Sequence, residues 1–144
     1  MLDVRSLEGE LTMKTKRIPR SEWPKFFDRF SRQHEGWLAT LEIFASDIGA
    51  QVEERELAFE GIVDEWDEAL GNQIIIMMGA KPDDHITHTI GRPTNVSLEQ
   101  TDEGADVALA ITSEGGAVAL LRFRSPPLPE MVDDVMRQRA RPSV

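Results

Sequence analysis

From Trp23 onward the apolar positions recur at i, i+3, i+4 and i+7: Trp23, Phe26, Phe27 and Phe30 make one aromatic face, while Lys25, Asp28, Arg29 and Arg32 fall on the other. The spacing predicts an amphipathic helix laid on a sheet. Ser21 stands where an N-cap belongs, Pro24 falls in the first turn, and Gly36 follows His34 and Glu35 as a stop. After Gly36 the period changes to two. Trp37, Ala39, Leu41 and Ile43 alternate with Leu38, Thr40, Glu42 and Phe44, and Ile48, Ala50 and Val52 carry on after a Ser46-Asp47 turn. Leu57, Phe59, Gly61 and Val63 have the opposite parity, so a turn or bulge is expected within 53–56.

The unbroken apolar run 74–78 predicts a strand buried on both faces. Further strands are expected over 86–90, 95–101, 106–112 and 117–124, the last two joined as a hairpin by Ser113-Glu114-Gly115-Gly116. A short second helix over 129–138 would set Met131, Val132, Val135 and Met136 on its apolar side. Together these elements predict an α+β domain. Its sheet is curved, largely antiparallel and of about seven or eight strands, a half-open roll or barrel with the N-terminal helix packed on it and a short helix at the C-terminal end. Long helices do not alternate with the strands, which argues against a doubly wound nucleotide-binding fold.

With 144 residues, 40% hydrophobic and 29% charged, the chain has the size and composition of one globular domain. Met13-Lys14-Thr15 reads as a start, which divides the chain into a disordered leader (1–12), a single domain (13–136) and a basic flexible tail (137–144). The absence of cysteine excludes disulfides, thiolate metal sites and thiol nucleophiles. No apolar run approaches the ~20 residues of a membrane span, and a cytoplasmic location is expected. The net charge of −10 is unevenly placed: residues 13–36 carry +4, and residues 37–136 carry −15. An acidic middle repels a phosphate backbone, so neither nucleic acid nor a membrane is expected as a partner.

Several stretches resemble one bacterial family. They are Ile18-Pro19-Arg20-Ser21-Glu22-Trp23-Pro24, Phe26-Phe27-Asp28-Arg29-Phe30-Ser31-Arg32-Gln33-His34-Glu35-Gly36-Trp37-Leu38, Asp47-Ile48-Gly49-Ala50-Gln51-Val52-Glu53 and Leu121-Arg122-Phe123-Arg124-Ser125-Pro126. The family is the uncharacterised domain of unknown function fifty-three thirty-five, and the resemblance runs from Met13 to about Met136. It brings no activity, cofactor or catalytic residue.

Candidate chemistry is sparse. His85 and His88, after Asp83 and Asp84, have a spacing that would share a metal on a helix, but the alternation of Ile86, His88 and Ile90 with Thr87 and Thr89 reads as a strand and sends the two imidazoles to opposite faces. No metal or other cofactor is expected. His88 between isoleucines suits a hydrogen-bonded histidine on a half-buried face. The carboxylates Glu53-Glu54-Glu56 and Asp64-Glu65-Asp67-Glu68 lack the alternation of a calcium loop and read as solvated. Arg122 and Arg124 share a strand face, where they would clamp an anion or pair with local acids.

No catalytic residue is identified. The expectation is a noncatalytic module that binds an unknown protein partner or a second copy of itself. The alternative is a small-ligand pocket protein or enzyme, with His88 and Arg122 or Arg124 lining a cavity between helix and sheet.

Overall fold

The structure, a computed structural model, describes residues 13–45 and 49–124. The expected leader, the Ser46-Asp47 turn, the second helix and the basic tail lie outside these residues. Eight strands form one antiparallel sheet that does not close. They are β1 (Met13–Arg17), β2 (Leu38–Ala45), β3 (Gly49–Asp67), β4 (Gly71–Met78), β5 (Ile86–Gly91), β6 (Pro93–Thr101), β7 (Asp106–Ser113) and β8 (Val118–Phe123). Their order is β1-β6-β7-β8-β2-β3-β4-β5. The sheet curls until β4 meets β6 and β5 meets β7, which gives the expected half-open roll.

The helix α1 (Trp23–His34) packs against β3 and buries the expected stripe, with Trp23, Phe26, Phe27 and Phe30 all in the core. Its start differs from the expectation. A 3-10 turn (Arg20–Glu22), closed by the Glu22 N–H to the Pro19 carbonyl at 2.8 Å, leads directly into α1, so Ser21 lies inside that turn and caps nothing. The Trp23 indole donates to the Ile18 carbonyl at 2.9 Å and ties this turn to the strand pairing, since the Ile18 N–H reaches the Val96 carbonyl. Gly36, at φ +89°, ends the helix as expected.

The two strands expected on either side of 53–56 are one, the 19-residue β3. The parity change is a bulge: Ala39 pairs with Leu57 but Leu41 with Glu54, so two residues of β3 oppose one of β2, and Glu56 takes the left-handed φ of 57°. A second slip, between Leu41 and Glu42, follows immediately. β1 carries no sequence signal for a strand, because MKTKR is almost all exposed and has no apolar alternation; its ladder with β6 holds it.

Strand β4 corrects the reading of a segment buried on both faces. Ile74, Ile76 and Met78 are fully buried, but Ile75 and Met77, on the other face, are only half-buried. The core fills the inside of the roll: Leu41, Phe59, Ile62, Ile74, Ile76, Leu109, Ile111, Leu121 and Phe123 pack under the aromatic stripe of α1.

Where β2 gives out, α1 takes its place beside β3. The Phe59 N–H still reaches the Trp37 carbonyl, but two residues past the next bulge it is the Ser31 hydroxyl that bonds Ile62. Its Oγ accepts the Ile62 N–H at 2.9 Å and donates to the Ile62 carbonyl at 3.1 Å. One side chain thereby satisfies both backbone groups of a strand residue that would otherwise be left bare.

Candidate functional site

His34 continues the aromatic stripe one turn beyond Phe30, and it is the one buried polar or charged residue among those described, at 2% exposure. Its Nδ1 lies 2.8 Å from the Phe30 carbonyl and its Nε2 2.8 Å from Asp106 Oδ2 on β7. A carbonyl and an ionised carboxylate only accept, and a neutral imidazole has one N–H to give. Both ring nitrogens thus face acceptors, and the contacts hold the imidazole between α1 and β7.

The ring stacks on Phe123 at 4.8 Å and 8° and packs edge-to-face with Trp37 at 4.5 Å, so it is enclosed by aromatic side chains. It falls in the last turn of α1. Burial alone would raise the Asp106 carboxyl. Hydrogen bonds from His34 and from Gln100 Nε2, the latter at 2.8 Å, outweigh it together with the charges of His34 and Arg29, and hold the carboxyl below its ordinary value.

The pair forms the floor of a groove of about 420 Å³ between α1 and the strands β1, β6 and β7. Lys16, Arg29, Gln33, Trp37 and Gln100 line it. A second groove, of about 440 Å³, runs along the other flank of α1, between Asp28 and Ser31 on the helix and Gly61, Val63 and Met77 on the sheet. Chemically the first groove offers cations at its rim and a saturated hydrogen-bonded pair at its base. Both His34 nitrogens are committed, so the imidazole has no free lone pair for base work.

The residues singled out in the sequence are placed elsewhere. His88, half-buried on β5, faces inward with Ile86 and Ile90, opposite Ile76 of β4. Arg122 alternates with the buried Leu121 and Phe123, so it points outward, and it pairs with Glu42 of β2. Arg124 lies 3.6 Å from Glu56. The expected grouping of His88 with either arginine does not form, because β8 and β5 are separated by three strands and the side chains occupy opposite faces. Neither groove contains any of the three.

His85, exposed, stands just before β5 with Nδ1 3.4 Å from the Gly79 carbonyl. Of the carboxylates, Asp67 accepts the Ala69 and Leu70 N–H groups at the β3–β4 turn, and Asp64 accepts from Asn72; the side chains of Glu53 and Glu54 lie outside the described residues. Among the described residues no three His, Cys, Asp or Glu side chains converge as a metal site would need, and no helix is long and apolar enough to cross a membrane. Sequence reasoning missed the His34–Asp106 pair. The signal that could have found its helical half is the period itself, since 34 is the next position after 30 on the buried face.

Among the described residues the open sheet leaves two edges, and they differ. β1 carries Lys14, Lys16 and Arg17 in its five residues. β5, Ile86-Thr87-His88-Thr89-Ile90-Gly91, carries no Lys, Arg, Asp, Glu or Pro. Basic residues are a common guard against edge-to-edge pairing, and β5 has none. The tip of the neighbouring β3–β4 hairpin adds apolar surface, with Trp66 73% exposed and Leu70 56%.

Comparison with known proteins gives two matches and one blank. An "Uncharacterized protein" from Aquifex aeolicus (strain VF5) is 28% identical over 120 residues, which cover 82% of this chain and 100% of the relative. No solved structure matches. A family model matches residues 14–131, from the second residue of β1 through the whole roll, and the chain therefore belongs to DUF5335, a family of unknown function.

Proposed function

We propose that this chain is a noncatalytic module that works by associating with a second copy of itself. The observation that carries the reading is the unguarded edge of an open sheet, β5. The saturated state of His34 supports the noncatalytic part, since the polar pair at the base of the groove is occupied with itself. The same reading places the protein in the cytoplasm of a bacterium. Light scattering and native mass spectrometry of the full chain over a concentration series test it: a monomer–dimer equilibrium is expected, and a monomer at every concentration up to about 1 mM rejects it.

Lys16 and Arg29 at the rim of the first groove favour a second reading, in which a small anion sits there. Inorganic phosphate that raises Tm of the wild type and not of an Arg29→Gln variant would support that reading instead.

A further inference from the structure

The edge strand has a sequence that reads the same in both directions: Ile86-Thr87-His88-Thr89-Ile90. In an antiparallel pair centred on His88, each residue would meet its own kind, Ile86 against Ile90, Thr87 against Thr89, and His88 against His88.

The hydrogen-bonding phase of β5 decides whether such a pair can form. Arg92 N–H bonds the Asn72 carbonyl at 3.0 Å, in register with the β4–β5 ladder. Bonded and non-bonded pairs alternate along an antiparallel ladder, so Ile90, His88 and Ile86 direct their backbone groups to β4. An independent observation agrees. Ile62 spends its N–H and carbonyl on Ser31, so the Ile62–Ile76 pair is of the non-bonded kind, and Ile76 must turn its own groups toward His88. Thr87 and Thr89 therefore present their N–H and carbonyl groups to the open edge. These are the groups a pair centred on His88 needs.

From this we infer that two copies of the chain join by antiparallel pairing of their β5 edges about a two-fold axis at His88, which extends the sheet across the dimer. The inference rests on the self-association reading above and names its surface and register. Each Thr87 exchanges both backbone bonds with Thr89 of the other copy, and the bonded threonines fall side by side on the outer face. Pairings displaced by two residues satisfy the same amides but set His88 against an isoleucine. The palindrome selects the central one.

At the axis the two His88 residues form a non-bonded pair, the kind in which side chains come closest, with Cα atoms about 4.5 Å apart. The groups facing His88 do not offset a second charge. β4 presents Ile74, Ile76 and Met78 on that side. β7, which also touches β5, has Asp106 as its one ionisable residue, already bound to His34. Of the charged groups beside the strand, Arg92 pairs with Glu114, and Lys81, Asp83, Asp84 and His85 belong to the turn that precedes it. A charge placed at position 88 in both copies sets like charges together at the centre of the joint, and the dimer weakens.

The test measures dimerisation of the full chain by sedimentation equilibrium. Thr89→Pro removes an outward N–H that takes no part in the β4 ladder, and it is expected to give a monomer with an unchanged circular dichroism spectrum. If that variant misfolds, Thr87→Lys with Thr89→Lys guards the same edge and gives the same readout. Thr15→Pro does the equivalent at β1, where the Ile18–Val96 bond fixes the phase so that the Thr15 N–H points outward, and should leave the dimer intact.

His88→Asp, which puts like charges on both sides of the axis, should weaken dimerisation by roughly tenfold or more, whereas the neutral His88→Asn should not. A dimer that persists in the β5 variants, or that only Thr15→Pro dissociates, overturns the β5 joint while leaving self-association standing. A dimer lost in the β5 variants but indifferent to His88→Asp overturns the His88-centred register. A monomer throughout overturns both readings.

Discussion

Replacing His34 by Ala would leave Asp106 ionised in a half-dry position with Gln100 as its remaining side-chain donor. Removing one partner of a buried pair in this way costs about 3 to 5 kcal/mol, which a denaturation midpoint lowered at unchanged slope would record. The pH dependence has a definite sign. A carboxyl held below its ordinary value contributes stability that is fully present above ~3.9 and is lost as the pH falls through the lower folded value. Asp106→Asn should accordingly flatten the acid limb of the stability curve. A local reading of the sequence reaches only half of this pair. The helical period marks 34 as a buried position, but its partner lies on β7, and nothing around Asp106 announces a histidine on α1. The interest that a local reading attaches to His88 and His85 comes from their adjacency, which β5 turns into separation.

Within the elements, two substitutions on α1 test different bonds of the same packing. Phe27, 1% exposed, touches Trp23 and Phe26 with ring centroids at 6.3 and 5.6 Å, and Phe27→Ala should cost about 3 to 5 kcal/mol through lost burial and the cavity left behind. Ser31→Ala removes almost no volume, yet it strips the Ile62 N–H and carbonyl of their partner, for a loss of about 1 to 3 kcal/mol. Urea denaturation of the two variants checks both, and a Ser31→Ala midpoint equal to wild type would mean water replaces the hydroxyl. The helix was legible because four aromatics at a 3.6 period have no other economical explanation. The bulge within 53–56 was legible too, since a parity change must be absorbed somewhere. The β1 strand was not, because its five residues gain their structure from β6 and bury little of their own. The continuity of β3 was hidden for a related reason: a parity break looks the same whether the chain turns back or merely bulges.

At the scale of the whole molecule, one cluster links every layer. Phe30 meets both Phe59 and Phe123, at 5.7 and 5.8 Å between ring centroids, so α1, β3 and β8 share contacts that no part can keep alone. Calorimetry and fluorescence should therefore report one coincident unfolding transition for residues 13–124, and two resolved transitions would show that the β4–β5 wing melts separately. The strand order also requires β1 to find β6 and β2 to find β8 across long stretches of chain, a non-local topology that predicts refolding on the millisecond-to-second scale. Sequence patterning reaches this level only as a class, an open antiparallel roll under a helix. The pairing order that makes β5 an edge is set by which ladders close in three dimensions.

The three tryptophans sit at three depths: Trp23 in the core with its indole N–H bonded to Ile18, Trp37 half-buried beside His34, and Trp66 on the hairpin tip. Because the chain has no tyrosine, these indoles dominate its near-ultraviolet emission. Trp66 supplies a red-shifted component open to collisional quenchers, Trp23 a blue-shifted one that survives them until the fold is lost, and Trp37 a signal that brightens or dims with whatever enters the groove. The molecule thus carries its own optical reporters for unfolding, for occupancy and for contact at the tip, each separable by replacing a single indole with phenylalanine.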